Sequence, residues 1–238
     1  MHLKRLSAPR TVHIPRKGFK FLPRALPGKH PLDSAIPLAV VLRDYLKLTT
    51  TYLESKKVIR MGSVLVDGVS VREPRAPIGL ADVIHIPRIQ KYYRVLPRYK
   101  VGLALMEIGE EEAKIKPAQV KRKQHTRGGY IQLTLHDGRN LQFPSSNSEM
   151  LRVKVGDTMF IELPSQNVKG VVPRAEGAYC LITSGSQMGA HGVLVRMDRE
   201  RVYPAKRHAE LQTSLGTVTT ILGYFMPVGD NKPWIALF

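Results

Sequence analysis

Two Asp-Gly pairs, Asp67-Gly68 and Asp137-Gly138, each sit between runs in which apolar and polar residues alternate. That pattern is the sequence signature of a two-residue β-hairpin turn, because both central positions of the favoured turn need a positive φ. Around the first pair, VLVDGVSV gives two short strands, and DVIHIP after Gly79 adds a third. Around the second, YIQLTLHDGRNLQF places Ile131, Leu133 and Leu135 on one face, with Leu141 and Phe143 on the return strand. Val153, Val155, Thr158, Phe160 and Ile161 suggest further strands. A chain punctuated in this way builds small β units, with helices short and few.

The helical signals are local. Over residues 34–60, Ser34 and Pro37 fit a helix start, and Val41, Leu42, Tyr45, Leu46 and Leu48 make an apolar face. The threonine run Thr49-Thr50-Thr51 breaks it. Thr51-Tyr52-Leu53-Glu54 then matches a capping box that opens a second helix, which Gly62 stops. Two helices of about a dozen residues cannot form a core alone, so the strands that follow must complete it. Glu110–Lys114 marks one further short helical start.

Charge directs the functional reading. The chain of 238 residues carries 37 Lys plus Arg against 19 Asp plus Glu, a formal +18. Division at composition shifts gives four segments: 1–32 at +8, 33–97 at +4, 98–172 at +4 and 173–238 at +2. The first contains no acid and five prolines, Pro9, Pro15, Pro23, Pro27 and Pro31, which forbid a continuous helix. It reads as an extended basic arm, which Phe19, Phe21 and Leu22 could dock on protein or bases; the alternative is a solvated tail kept basic for solubility. Lys4, Arg5, Arg10, Arg16, Lys17, Lys20, Arg24 and Lys29 would be its phosphate partners. A polyanion is the expected partner, and nucleic acid leads.

Two other basic groups extend this list. Arg43, Lys47, Thr50, Tyr52, Lys56, Lys57 and Arg60 would share one surface of the helical pair. The alternative is an ordinary solvated face, and charge alone does not separate the two. A DNA-reading helix-turn-helix would offer Asn or Gln to base edges; the second helix offers mainly Lys and Arg. Lys121, Arg122, Lys123 and Arg127 form a basic run ending at Gly128-Gly129, and Arg139 follows the second Asp-Gly turn.

Other chemistry finds little support. One Cys excludes an intramolecular disulfide and any multi-Cys metal site. No apolar stretch is long enough for a transmembrane helix, and the prolines of the first 30 residues are unlike a signal peptide. His136-Asp137 reads as part of a turn rather than an acid–base pair. Gly185–Gly192 lacks the Gly-Lys-Ser/Thr of a phosphate-binding loop. Cys180 reads as a core residue and Trp234 as a packing anchor. The expectation is no enzyme, no metal and no cofactor.

Several motifs resemble known families. Val64-Leu65-Val66-Asp67-Gly68 with Gly79-Leu80-Ala81-Asp82-Val83-Ile84 resembles the RNA-binding module named after bacterial ribosomal protein S-four, over residues 36–88. Gly128-Gly129-Tyr130-Ile131-Gln132-Leu133 and His136-Asp137-Gly138-Arg139-Asn140 resemble the central domain of the archaeal and eukaryotic small-subunit ribosomal protein S-four-e family. His2-Leu3-Lys4-Arg5-Leu6 and Asn231-Lys232-Pro233-Trp234-Ile235 are similar to that family's opening and closing segments. Gly177–Ile182, then Gly185, Gly189, Gly192 and VLVR, resemble the KOW motif of ribosomal and elongation proteins, though this loop lacks the lysines often found there. Its glycines would supply positive φ, and the loop either binds RNA through backbone N–H groups or is only a tight turn.

The resemblance implies an α+β, multidomain chain: a basic arm (1–32), a two-helix plus hairpin module (33–97), a central β-rich, partly open barrel (98–172) and a C-terminal SH3-like barrel (173–238). It implies a cytoplasmic, structural constituent of the small ribosomal subunit that contributes to translation. The partners would be small-subunit rRNA and neighbouring ribosomal proteins, with no membrane, no small-molecule substrate and no homo-oligomer. Pseudouridine synthases share the helical module, but no Arg-Leu-Asp that would carry their catalytic Asp occurs here. A transcription-elongation module, suggested by the glycine loop, fits the acid-free arm less well.

Overall fold

The computed structural model describes residues 3–198, 206–214 and 216–238. His2, which opens the N-terminal motif, lies outside them. The chain is mostly β and divides into two compact units. One runs to Pro97 and takes in Val101–Lys116 and Leu163–Ser165; the other comprises Arg98–Lys100, Pro117–Glu162 and Gln166–Phe238.

In the first unit, strand Ile36–Pro37 pairs with Pro77–Ile78 and leads directly into a helix. That helix is shorter than its periodicity suggests. It is α-helical over Leu38–Val40 and continues as a π-helical turn over Val41–Tyr45, with Leu46 N–H donating to the carbonyl of Val41 at 2.9 Å. Ser34 belongs instead to a separate 3-10 turn, Leu32–Ser34. Leu38 to Leu42 are all buried, so tertiary packing holds a segment too short to be helical by itself.

Helix Tyr52–Arg60 begins as its sequence specifies: Glu54 N–H donates to Thr51 Oγ1, and Thr51 N–H donates to the Glu54 carboxylate, both at 3.3 Å. Ser55 and Ile59 face inward, one turn apart; full burial of Ile59 contributes about 2 kcal/mol. Strands Leu65–Val66 and Val69–Ser70 form the hairpin, with φ of 53° at Asp67 and 79° at Gly68. These strands head a five-stranded sheet in the order Val69–Ser70, Leu65–Val66, Val83–Ile86, Lys91–Arg98, Gly102–Ile108. The short helix Glu110–Ala113 follows.

The N-terminal segment is extended but docked: of the three apolar residues expected to anchor it, Leu22 is buried while Phe19 and Phe21 stay exposed. Leu3–Lys4 pairs with Phe21–Leu22, Arg5 N–H donates to the carbonyl of Lys20 at 3.0 Å, and Val12 bridges to Leu103. Ala8, Val12, Ile14, Leu22 and Ala25 are buried. Scattered apolar side chains without helical or strand periodicity are enough to dock an irregular segment on a preformed surface.

The second unit contains two five-stranded sheets. One runs Asn140–Pro144, Tyr130–Leu135, Ile115–Thr126, Thr158–Glu162, Val168–Val172. Its core gathers Ile131, Leu133, Leu135, Met159 and Ile161 with Met150 from helix Ser148–Arg152, which the sequence did not signal. The second Asp-Gly turn is longer than two residues: Thr134 pairs with Asn140, and Leu135 N–H donates to the carbonyl of Arg139, leaving His136, Asp137 and Gly138 in the loop. Gly138 takes φ of 80°, the left-handed third position of a three-residue hairpin.

The other sheet runs Gly216–Ile221, His208–Thr213, His191–Met197, Tyr179–Ile182, Phe225–Gly229. The two meet within the unit where Gln119 Nε2 donates to the carbonyls of Gly156 and Phe225, and where Trp234 packs on Phe160 at 4.8 Å between ring centroids.

Candidate nucleic-acid interface

The structure sorts the expected phosphate partners into three groups. Arg5, Arg16 and Arg43 turn inward. Arg5 is buried, with Nε 2.5 Å from the carbonyl of Pro15 and a terminal nitrogen 3.5 Å from Asp44. Arg16 donates to the carbonyls of Ala8 at 2.8 Å and Pro9 at 3.1 Å, stitching the segment to itself. Arg43 is held on Asp44 at 2.7 Å. Arg5 Nη1 is buried without a partner, but the contacts these three cations make go to protein carbonyls and Asp44, which leaves little for a phosphate.

A second group is tethered but reachable. Lys29 sits 3.0 Å from Asp67, Lys121 donates to Gln119 Oε1 at 2.8 Å, and Lys123 caps the carbonyls of Leu151 and Val153 at 2.6 and 2.8 Å. Arg139 Nε lies 3.2 Å from Asp137, and Arg24 is half-buried. Burial, reinforced by Arg174, holds the Lys121 ammonium below its ordinary pKa. Thr50 is used locally, donating to Glu54 at 3.0 Å.

The third group faces outward. Lys4, Arg10, Lys17, Lys20, Lys47, Lys57, Arg60, Arg122 and Arg127 are exposed, and Lys56 and Tyr52 half-exposed. On helix Tyr52–Arg60 the geometry follows from its period. Ser55 and Ile59 fix the buried side, which turns Leu53, Lys57 and Arg60 to the opposite side, with Lys56 at its border. Among the described residues these three cations make no ion pair. Their full charge is therefore available to a polyanion.

Sequence reasoning missed a buried charge network in the same unit. Lys116, wholly buried, places Nζ 2.8 Å from Asp67 and 2.6 Å from Asp82. His30 Nε2 lies 2.9 Å from the other oxygen of Asp82, which also accepts from Gly79 N–H at 3.0 Å. Asp67 accepts from Val83 N–H at 3.1 Å. Burial alone would raise the Asp82 pKa, but Lys116 and His30 outweigh it and hold the carboxyl well below the usual range. Arg94, also buried, donates to Glu112 and to the carbonyl of Ile115. The available signal was two acids, Asp67 and Asp82, embedded in apolar runs.

In the glycine loop, Gly185 and Gly189 have φ near 90°, but Gly192 does not. A Cβ on Gly192 would stand 2.0 Å from the backbone oxygen of Gln212, so close strand approach, not torsion, excludes a side chain there. The amides of Met188 and Ala190 donate within the loop and that of Gly189 to the carbonyl of Ile182 on the preceding strand, which supports the tight-turn role for that half. His136 Nδ1 accepts from Gln119 N–H at 3.2 Å, a structural contact. Cys180 is buried and its thiol is pushed up to about 12 by burial. No cluster of metal-ligating side chains occurs among the described residues.

Comparison with known proteins follows the same lines. The profile of ribosomal family S4e matches residues 89–168. The small ribosomal subunit protein eS4 of Methanocaldococcus jannaschii is 39% identical over 240 residues, 99% of this chain and 97% of the relative. That of Metallosphaera sedula is 37% identical, covering 98% and 97%. The crystal structure of 30S ribosomal protein S4e from Thermoplasma acidophilum superposes with a TM-score of 0.69 at 29% identity, covering 83% of this chain and 96% of that one. With near-complete coverage at this identity, and with the S-four-like hairpin and the HDGRN turn both in place, the chain belongs to ribosomal family S4e.

Proposed function

We infer that this chain is a structural, non-enzymatic constituent of the small ribosomal subunit in the cytoplasm, where it binds small-subunit rRNA and contributes to translation. The observation that carries the RNA-binding mechanism is the outward face of helix Tyr52–Arg60, where Lys56, Lys57 and Arg60 stand without acidic partners among the described residues. Lys4, Arg10, Lys17 and Lys20 on the folded-back N-terminal segment add to it. Recognition runs through phosphates and shape, since a folded RNA duplex hides its base edges in a deep, narrow major groove.

In this reading residues 33–97 are the S-four-type RNA module, 98–172 the central β domain with Arg122 and Arg127 at its hairpin, and 173–238 an SH3-like KOW unit. The docked segment 1–32 extends the first of these. The protein acts as a single copy beside rRNA and neighbouring ribosomal proteins. Co-sedimentation of the tagged full chain with small subunits, followed by crosslink mapping onto rRNA, tests this. Recovery only as a free protein, or turnover on an RNA substrate, would contradict it.

A further inference from the structure

In the second unit, strands Ile115–Thr126, Tyr130–Leu135 and Asn140–Pro144 share a solvent-facing side. Strand register places nine residues on it in three rows: Arg122–Thr134–Asn140, Gln124–Gln132–Gln142 and Thr126–Tyr130–Pro144. The opposite face carries Ile131, Leu133 and Leu135 into the core. The nine-residue face is thus the solvent side, and all nine residues are exposed or half-exposed. From strand spacing and rise it measures about 10 Å by 14 Å.

Its chemistry is unusual for a solvent face. Four amides and two threonines replace the customary mixture of charges, and it bears no acid. The amides are locked together: Gln132 Nε2 and Thr134 Oγ1 both donate to Asn140 Oδ1, at 3.1 and 2.6 Å, and Gln142 Nε2 donates to Gln132 Oε1 at 3.2 Å. This leaves Asn140 Nδ2, Gln142 Oε1 and both ends of Gln124 without a partner among the described residues. Donors and acceptors are thereby presented side by side on an ordered plate. Arg122 in the first row and Arg127 in the turn after Thr126 supply positive charge at its borders. A protein partner would be met by an apolar centre; here Tyr130 and Pro144 are the only large apolar contributors.

We propose that this face lies against the shallow minor groove of an rRNA duplex, with its amides and hydroxyls hydrogen-bonded to ribose 2′-hydroxyls. The 2′-hydroxyl both donates and accepts, which an amide row matches and a lysine does not. The charge at the borders fits the flanking phosphates. The inference rests on the RNA-binding function above and assigns it a second surface, one that distinguishes RNA from DNA.

The test uses the full chain with an RNA duplex and the DNA duplex of the same sequence, titrated by fluorescence anisotropy at two salt concentrations. The triple variant Gln124→Ala, Gln132→Ala, Gln142→Ala should bind RNA about tenfold more weakly, the effect of two or three neutral hydrogen bonds. Its DNA affinity and the salt slope should not change, because no counterion is released by an amide. If the triple variant fails to fold, Gln142→Glu on the edge strand should lower RNA affinity through repulsion. An unchanged RNA-to-DNA ratio would overturn the proposal. So would normal RNA binding with lost incorporation into small subunits, which would make this a protein-docking face. If the parent chain binds no RNA, the proposed function itself fails.

Discussion

Lys116 holds its ammonium 2.6 Å from Asp82 and 2.8 Å from Asp67, and all three side chains are shielded from solvent. Asp67 is the first residue of the hairpin turn, and Asp82 lies just before strand Val83–Ile86. One buried cation therefore pins the turn of the hairpin to the start of its neighbouring strand. Lys29 and His30 close the same network from the N-terminal segment.

Removing that cation leaves two buried carboxylates short of a counter-charge. Lys116→Met should destabilise the chain by roughly 3–5 kcal/mol, the cost of breaking a buried pair by deleting one member. Urea unfolding of the full-length protein measures it. A loss below about 1 kcal/mol would show that Lys29 and the hydrogen bonds around the two acids hold them without Lys116.

Acid should act through the same place. Because the folded protein depresses the Asp82 pKa, the unfolded chain takes up a proton there first as the pH falls. This contribution to stability is fully present above about pH 4, near the unfolded carboxylate value, and is lost progressively below it. The loss from one such group approaches about 1.4 kcal/mol per pH unit. Asp82→Asn should flatten that acid limb of the urea midpoint between pH 5 and pH 2. A limb of unchanged steepness would place the acid sensitivity elsewhere.

The N-terminal cations should separate by where they point. Arg5→Ala removes a buried guanidinium from Pro15 and Asp44 and should cost about 2–3 kcal/mol of stability. Lys17→Ala with Lys20→Ala should leave stability within about 0.5 kcal/mol and reduce the salt slope of RNA binding by about two. Deleting residues 1–31 cannot separate these effects, since it removes the buried side chains together with the exposed charges. Equal melting losses in both variants would contradict the division.

Local signals carried over well where the chemistry is local. Thr51 and Glu54 make their capping box three residues apart, and Asp67-Gly68 turns the hairpin that its own torsions favour. What the sequence could not convey depends on distant partners. Arg5 counts as a phosphate ligand until Asp44 is seen beside it, and Lys116 as one more surface lysine until the fold brings Asp67, 49 residues earlier in the chain, within 2.8 Å. Composition reports how many cations there are; only burial tells which remain free. Gly192 is a similar case, since the space it leaves is occupied by Gln212 on another strand.

In the proposed function, the free cations of helix Tyr52–Arg60 hold rRNA by charge. Measuring the affinity of Lys56→Ala with Arg60→Ala for small-subunit rRNA between 50 and 200 mM salt tests it most directly, in the range where phosphate contacts dominate. The slope of log K against log salt should shallow by about two, with the melting temperature nearly unchanged. An unchanged slope, or a large thermal loss, would contradict the account.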